Sequence, residues 1–176
     1  IVGPACVCSE VRSFYLNVPG GPLPTILRTS PSFSAGVNAA LAAANPLLQP
    51  GNTLYAQYFR EAQAAFDAGD PLNYVRQLAA DRPVLFTKVI GDTVVPNATN
   101  DNLIVAAGAT RASTAGPQAI AAGSPRFVTF TSGSHSSLLD PTASLAVTQE
   151  MQTHAASLAA SGGAAFVIAN SGLLEP

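Results

Sequence analysis

Two segments of the chain each present a titratable side chain just past a β-rich run and a glycine. Residues 84–90 lead through Gly91 to Asp92, and residues 126–131 lead through Ser132 and Gly133 to Ser134 and His135. An imidazole, with its ordinary pKa of about 6.5, can take and return a proton near neutrality. A buried carboxylate behind it fixes its tautomer and stabilises the imidazolium. Asp92 and His135 therefore have the makings of an acid–base pair that lacks a nucleophile. Ser134 and Ser136 flank His135, but neighbouring residues rarely aim their side chains at each other, so neither suits that part. Thr93 and Ser136 are placed to support the pair by hydrogen bonding.

For the pair to meet, the two runs must be adjacent strands ending on the same side. Residues 84–90 are nearly continuously apolar and rich in branched side chains, as a strand covered on both faces of a parallel sheet requires. Residues 126–131 predict a second strand. Residues 12–18 predict an earlier one, stopped by Pro19-Gly20-Gly21. The interval between Asp92 and His135 leaves room for one helix and its loops.

Residues 22–82 differ in character, with Pro, Ser and Gly punctuating short helical pieces. A helix is expected over 34–44, ended by Asn45-Pro46. A longer one follows, capped by Asn52 or Thr53, in which Leu54, Tyr55, Tyr58, Phe59, Ala62, Ala65 and Phe66 recur at three- and four-residue spacing. Asp70-Pro71 caps a short helix with Leu72, Val75 and Leu78 on one side. The aromatic stripe serves either core packing or a lid over an apolar pocket; Leu54, Tyr58, Phe59 and Phe66 are its candidate substrate-facing residues.

Beyond Asp92, residues 100–109 and 119–122 read as weakly helical around a Gly-rich break. Asp140-Pro141 opens a helix to about residue 160 that ends at Gly162-Gly163. Residues 164–169 form a last strand or lie extended. Asp101 and Asp140 are read as helix caps, and His154 as a mid-helix residue that is solvent-facing or packed. The order of elements predicts an α/β fold, a mostly parallel sheet flanked by helices. In such sheets ligands bind at the carboxyl ends of the strands, where Asp92 and His135 fall.

Composition removes several classes. A net charge of −2, with no basic stripe, offers no footprint for nucleic acid. Gly20-Gly21 and Gly162-Gly163 lack the Lys-Ser or Lys-Thr of a phosphate loop. Cys6 and Cys8 are too close for an easy bridge and too isolated for a zinc site, so no metal or cofactor is expected. They read as small core residues, or as a strained or interchain disulfide. Asn97-Ala98-Thr99 matches a glycosylation acceptor, a pattern short enough to arise by chance. No apolar run approaches the roughly 20 residues of a transmembrane helix. The 176 residues fit one domain, 48% hydrophobic and 10% charged, well below the roughly 25% charged of an ordinary soluble domain.

Gly91-Asp92-Thr93-Val94-Val95-Pro96 and Gly133-Ser134-His135-Ser136-Ser137-Leu138-Leu139 resemble the acid and histidine motifs of the α/β-hydrolase superfamily, which follow its last two core strands. Leu16-Asn17-Val18-Pro19-Gly20-Gly21, followed by Leu27-Arg28-Thr29-Ser30-Pro31-Ser32-Phe33, resembles bacterial secreted or surface lipases and lysophospholipases. The resemblance covers essentially all of residues 1–176, as the carboxyl-terminal half of such a catalytic domain, with residues 22–82 as a helical lid. It implies a Ser-His-Asp hydrolase of apolar acyl esters, bacterial and secreted, periplasmic or on the cell surface, able to meet a lipid interface. The departure is the nucleophile, because the sequence contains no Gly-x-Ser-x-Gly. Ile1-Val2-Gly3 suits the helix after such an elbow, which implies a serine just upstream. The expected partners are then the missing amino-terminal part or further copies of the chain. The alternative is a non-catalytic fragment that acts only through that association.

Overall fold

A computed structural model describes residues 10–176; the expectations for Cys6, Cys8 and Ile1-Val2-Gly3 lie outside the described residues. The chain folds as a mixed α/β structure with a mostly parallel sheet flanked by helices. Its central strand is β2 (Val84–Val89), between β1 (Phe14–Asn17) and β5 (Arg126–Phe130). The short β3 (Thr110–Arg111) lies outside β5. All three pairings are parallel, with Phe14 opposite Val84, Phe86 opposite Phe127 and Val89 opposite Phe130. A separate antiparallel ladder joins β4 (Gly116–Ala119) to β6 (Ala165–Ile168).

The period of two along β2 explains why both alternating sets of its residues are largely apolar. Val84 and Phe86 point into a cluster with Phe14, Val75, Leu78, Leu103 and Ile104. Leu85 and Val89 point the other way, to Val128, Phe130, Val147, Met151 and Phe166. Helices supply the covering residues: α4 (Val75–Asp81) and α5 (Asn97–Ala107) on the first face, α6 (Leu145–Ala160) on the second. Both faces are thus dry.

Between β1 and α4 the chain makes a helical insertion of α1 (Leu23–Thr29), α2 (Ser34–Ala44) and α3 (Thr53–Phe66), then a 3₁₀ turn at Pro71–Asn73. Asp70 closes it at both ends. Its fully buried carboxylate accepts from Leu23 N at 2.8 Å, Leu72 N at 3.0 Å and Gln63 Nε2 at 3.1 Å. The Asp70-Pro71 cap therefore opens a 3₁₀ turn, and α4 follows separately. Helix α3 buries only Tyr55 and Phe59, and α2 buries no residue at all.

Several expectations are corrected. The helix expected from residue 100 begins at Asn97 and ends at Gly108, whose φ of 69° supplies the left-handed turn. Asp101 is not a cap; it lies mid-helix and pairs with Lys88 Nζ at 2.7 Å. Asp140 does not open a helix either, because Thr142 takes its carboxylate through both N–H and hydroxyl. The Thr142 hydroxyl and N–H hold that exposed carboxyl below its ordinary value. Ser144 is the cap of α6 instead, its Oγ accepting from Val147 N at 3.3 Å. Residues 119–122 are not helical; Ala119 ends β4, pairing with Ala165. Among the described residues no helix is long and apolar enough to cross a membrane.

The turn after β1 is packed to contact. A Cβ at Gly20 would lie 2.4 Å from Val95 Cγ1, 2.8 Å from Thr99 Oγ1 and 2.9 Å from Ile26 Cδ1. Gly20→Ala is expected to cost about 1–3 kcal/mol as an overpacked site, read as a lower urea midpoint. An unchanged midpoint would show that this junction yields freely.

Candidate active site

The carboxyl ends of β2 and β5 lie level, because Ile90 N donates to Phe130 O at 2.9 Å. From there each chain turns over a glycine in the left-handed region, Gly91 at φ 79° and Gly133 at φ 117°. Asp92 and His135 are thereby brought face to face, with Asp92 Oδ2 2.9 Å from His135 Nδ1.

The two partners are set unequally. The Asp92 side chain has 0% exposure, the His135 side chain 37%. The other carboxylate oxygen, Oδ1, accepts from Val94 N at 2.8 Å and Val95 N at 3.0 Å. An ionised carboxylate at this distance makes Nδ1 the protonated ring nitrogen, which leaves the Nε2 lone pair free to accept a proton. Nε2 has no hydrogen-bond partner among the described residues. The site thus has a fixed acceptor behind a half-exposed base, the arrangement proton transfer requires.

The histidine turn is held by a residue not singled out from sequence. Ser137 is fully buried, and its Oγ accepts from Ser134 N at 2.7 Å while its own N–H donates to Ser134 O at 3.1 Å. Ser136 does not support the pair; its Oγ lies 3.2 Å from Ser134 Oγ. Thr93 is not hydrogen-bonded to either member of the pair; its carbonyl accepts from Ser30 Oγ and Ser32 N, both at 3.0 Å. Neither Ser134 nor Ser136 is bonded to His135. Val18, at the end of β1, is a branched residue at φ 41°, a strained conformation on the same rim of the sheet.

The four aromatic and aliphatic candidates of the insertion do not form one face. Phe59 is buried, 4.9 Å from Tyr55 and 5.4 Å from Tyr58 between ring centroids, with the Arg28 guanidinium 6.0 Å from its own. Leu54, Tyr58 and Phe66 are exposed. Two grooves run over the insertion, one lined by Arg28, Asn38, Asn52 and Tyr55, the other by Pro24, Arg28, Phe59 and Arg60. Neither is lined by Asp92 or His135. No group of three or more potential metal ligands occurs among the described residues.

A second acid–histidine pair was not anticipated. His154 is fully buried on α6, with Nε2 3.0 Å from Glu150 Oε1, one helical turn back. Glu150 also accepts from Ala169 N at 2.7 Å and Asn170 N at 3.1 Å, so it fastens α6 to the end of β6. The ring lies between Phe130 and Phe166, and Nδ1 is buried without a partner. Its sequence signal was only the spacing of four between Glu150 and His154, which on a helix is neighbouring position.

No protein-family model, curated protein or solved structure matches this chain.

Burial pushes the His154 pKa below its ordinary 6.5, outweighing the attraction of Glu150. The unfolded chain therefore binds this proton more readily than the folded chain does. Stability is full above about pH 6.5 and is lost as pH falls, by up to about 1.4 kcal/mol per pH unit. Comparing urea midpoints between pH 7.5 and pH 5 for the wild type and His154→Gln isolates this slope, since every other group is shared. The wild type is expected to lose more; parallel curves would contradict the assignment.

Proposed function

We propose that Asp92 and His135 are the acid and base of a serine hydrolase of the α/β-hydrolase type, acting on acyl esters of lipids or similarly apolar alcohols. The observation that carries this reading is the 2.9 Å contact between a buried Asp92 and a half-exposed His135 at the level ends of adjacent parallel strands. In the reaction, a serine hydroxyl adds to the ester carbonyl as His135 Nε2 takes its proton. The imidazolium, held by Asp92, returns that proton to the departing alkoxide, leaving an acyl-serine. Water then adds by the same route, releasing the acid and restoring the serine.

The serine comes from outside residues 1–176, since the sequence holds no nucleophile elbow and no described serine is bonded to His135. The outer edge of β1 has no strand paired to it among the described residues, and an open edge is where a further strand adds. The helical insertion is the lid of this reading. Between Arg28 and Arg60 its sequence carries no Asp, Glu, Lys or Arg, and Phe33, Leu47, Leu54 and Tyr58 are exposed there. An uncharged, apolar surface of this kind suits an apolar substrate or a lipid interface.

A serine-directed fluorophosphonate tests the reading. The chain by itself is expected to take no label. Its complete cellular form, whether one polypeptide or a complex, is expected to be labelled at a serine outside residues 1–176. His135→Ala should slow its ester turnover by about 10⁴–10⁶-fold, the range known for loss of a triad member. Label on any serine within 1–176, or near-normal turnover in the variant, would overturn it.

A further inference from the structure

The Asp92 carboxylate can aim Oδ2 at His135 only if the turn that supplies its two N–H donors is itself held. Two side chains hold it, one on each side of Asp92. Before it, Asn97 Oδ1 accepts from Gly91 N at 2.9 Å while Asn97 Nδ2 donates to Val89 O at 2.7 Å, so one amide spans the exit from β2. Asn97 Nδ2 also lies 3.2 Å from Asn100 Oδ1, and Asn100 Nδ2 donates to Pro19 O. After it, Ser30 Oγ donates to Thr93 O at 3.0 Å. Ser30 is fully buried and is the residue that closes α1, where its own N–H donates to Ile26 O at 2.8 Å.

We propose, on the reading of Asp92 and His135 as a catalytic pair, that Ser30 and Asn97 are positioning residues for it, and that Ser30 couples the helical insertion to the acid. The carboxylate has no freedom of its own: Oδ1 is fixed by Val94 N and Val95 N. Its orientation is therefore that of residues 91–95, and those residues are pinned at Gly91 by Asn97 and at Thr93 by Ser30. Because Ser30 ends α1, any displacement of the insertion is passed to Thr93 and so to the Oδ2–Nδ1 contact. The same engagement explains why Asn97 is not a free glycosylation acceptor in this fold, as its amide nitrogen is already committed.

Loss of either side chain is milder than loss of the fold. Without the Ser30 hydroxyl, Ser32 N still donates to Thr93 O at 3.0 Å. What changes is the precision of the acid, and this is legible in the tautomer of His135. A carboxylate acceptor on Nδ1 fixes the Nδ1–H form, whereas a released ring is free to adopt the Nε2–H form.

Two-bond ¹⁵N–¹H spectra of the ¹⁵N-labelled chain at pH 8.5, assigned with His135→Gln, report this directly and require no turnover. The wild type is expected in the Nδ1–H form. Asp92→Asn, whose carboxamide can donate in place of accepting, should abolish that preference. Ser30→Ala and Asn97→Ala should each lower the ratio of Nδ1–H to Nε2–H by about threefold, the scale of one lost hydrogen bond, with the His154 signals unmoved. If both variants keep the wild-type ratio while Asp92→Asn shifts it, the positioning role is overturned and the pair stands. If Asp92→Asn leaves the ratio unchanged, the pair itself fails. Movement of His154 together with His135 in both variants would mean general loosening and would also overturn the proposal.

Discussion

The register between β2 and β5 is the constraint on which the site depends. Parallel pairing sets Val89 opposite Phe130, and the bond from Ile90 N to Phe130 O carries that alignment one residue past the sheet. Each residue of slip would displace one strand end by about 3.3 Å, more than the length of the Asp92–His135 hydrogen bond. It would also exchange the two faces of β2, turning Leu85 and Val89 away from Val128 and Phe130. The cores on both faces thus resist the slip that would separate the pair. Burial of Phe86, Leu85 and Val89 and the placing of Asp92 are consequences of a single alignment.

Two acid–histidine pairs occur among the described residues, and their surroundings are opposite. Glu150 spends both carboxylate oxygens on the interior: one on His154 and Ala169 N, the other on Asn170 N. Its histidine has no exposed edge. A group so enclosed cannot reach a substrate, and its buried, unpartnered Nδ1 opposes protonation; the pair is a fastening between α6 and the end of β6. Asp92 is just as buried, yet its histidine is not. Burial of the acid with exposure of the base suits Asp92 and His135 to the proposed proton transfer and Glu150 and His154 to a structural lock, more than the contact distance does, which is 2.9 Å in one and 3.0 Å in the other.

What sequence could reveal follows the same physics. The strands β2 and β5 were legible because strands covered on both faces are rich in branched and aromatic residues on both alternating sets, and the Gly91-Asp92 and Gly133-Ser134-His135 exits were legible because turns of positive φ select glycine. The short strands were not. Thr110–Arg111 and Gly116–Ala119 are specified by the partners they meet, Arg126–Phe127 and Ala165–Ile168, and carry little propensity of their own. Asp140 looked like a cap because Asp-Pro is a good one, but Thr142 lay near enough to capture its carboxylate first. The stripe from Leu54 to Phe66 had helical spacing, which says that a helix has an apolar side and leaves open what covers it. Only Tyr55 and Phe59 find cover within the described residues. Asn97, Ser30 and Ser137 had no pattern to betray them, since each acts on the backbone of a turn: Asn97 at Val89 and Gly91, Ser137 at Ser134, and Ser30 at Thr93, 63 residues away.

The insertion bears on the acid through its anchorage. Asp70 ties the start of α1 to the 3₁₀ turn by accepting from Leu23 N and Leu72 N, so residues 23–70 leave and rejoin the body at one point. Between those ends α2 buries nothing and α3 buries two side chains, which means the insertion contributes little to the core and is held mainly by its ends. A segment with so few buried apolar contacts belongs to the least stable part of a fold. The Ser30–Thr93 bond is therefore an additional tether, located where the weakly held insertion meets the rigid strand exit. The uncharged stretch between Arg28 and Arg60 is joined to the strand exit through that tether. The acid is thus mounted between the part of the molecule fixed by strand register and the part that buries least.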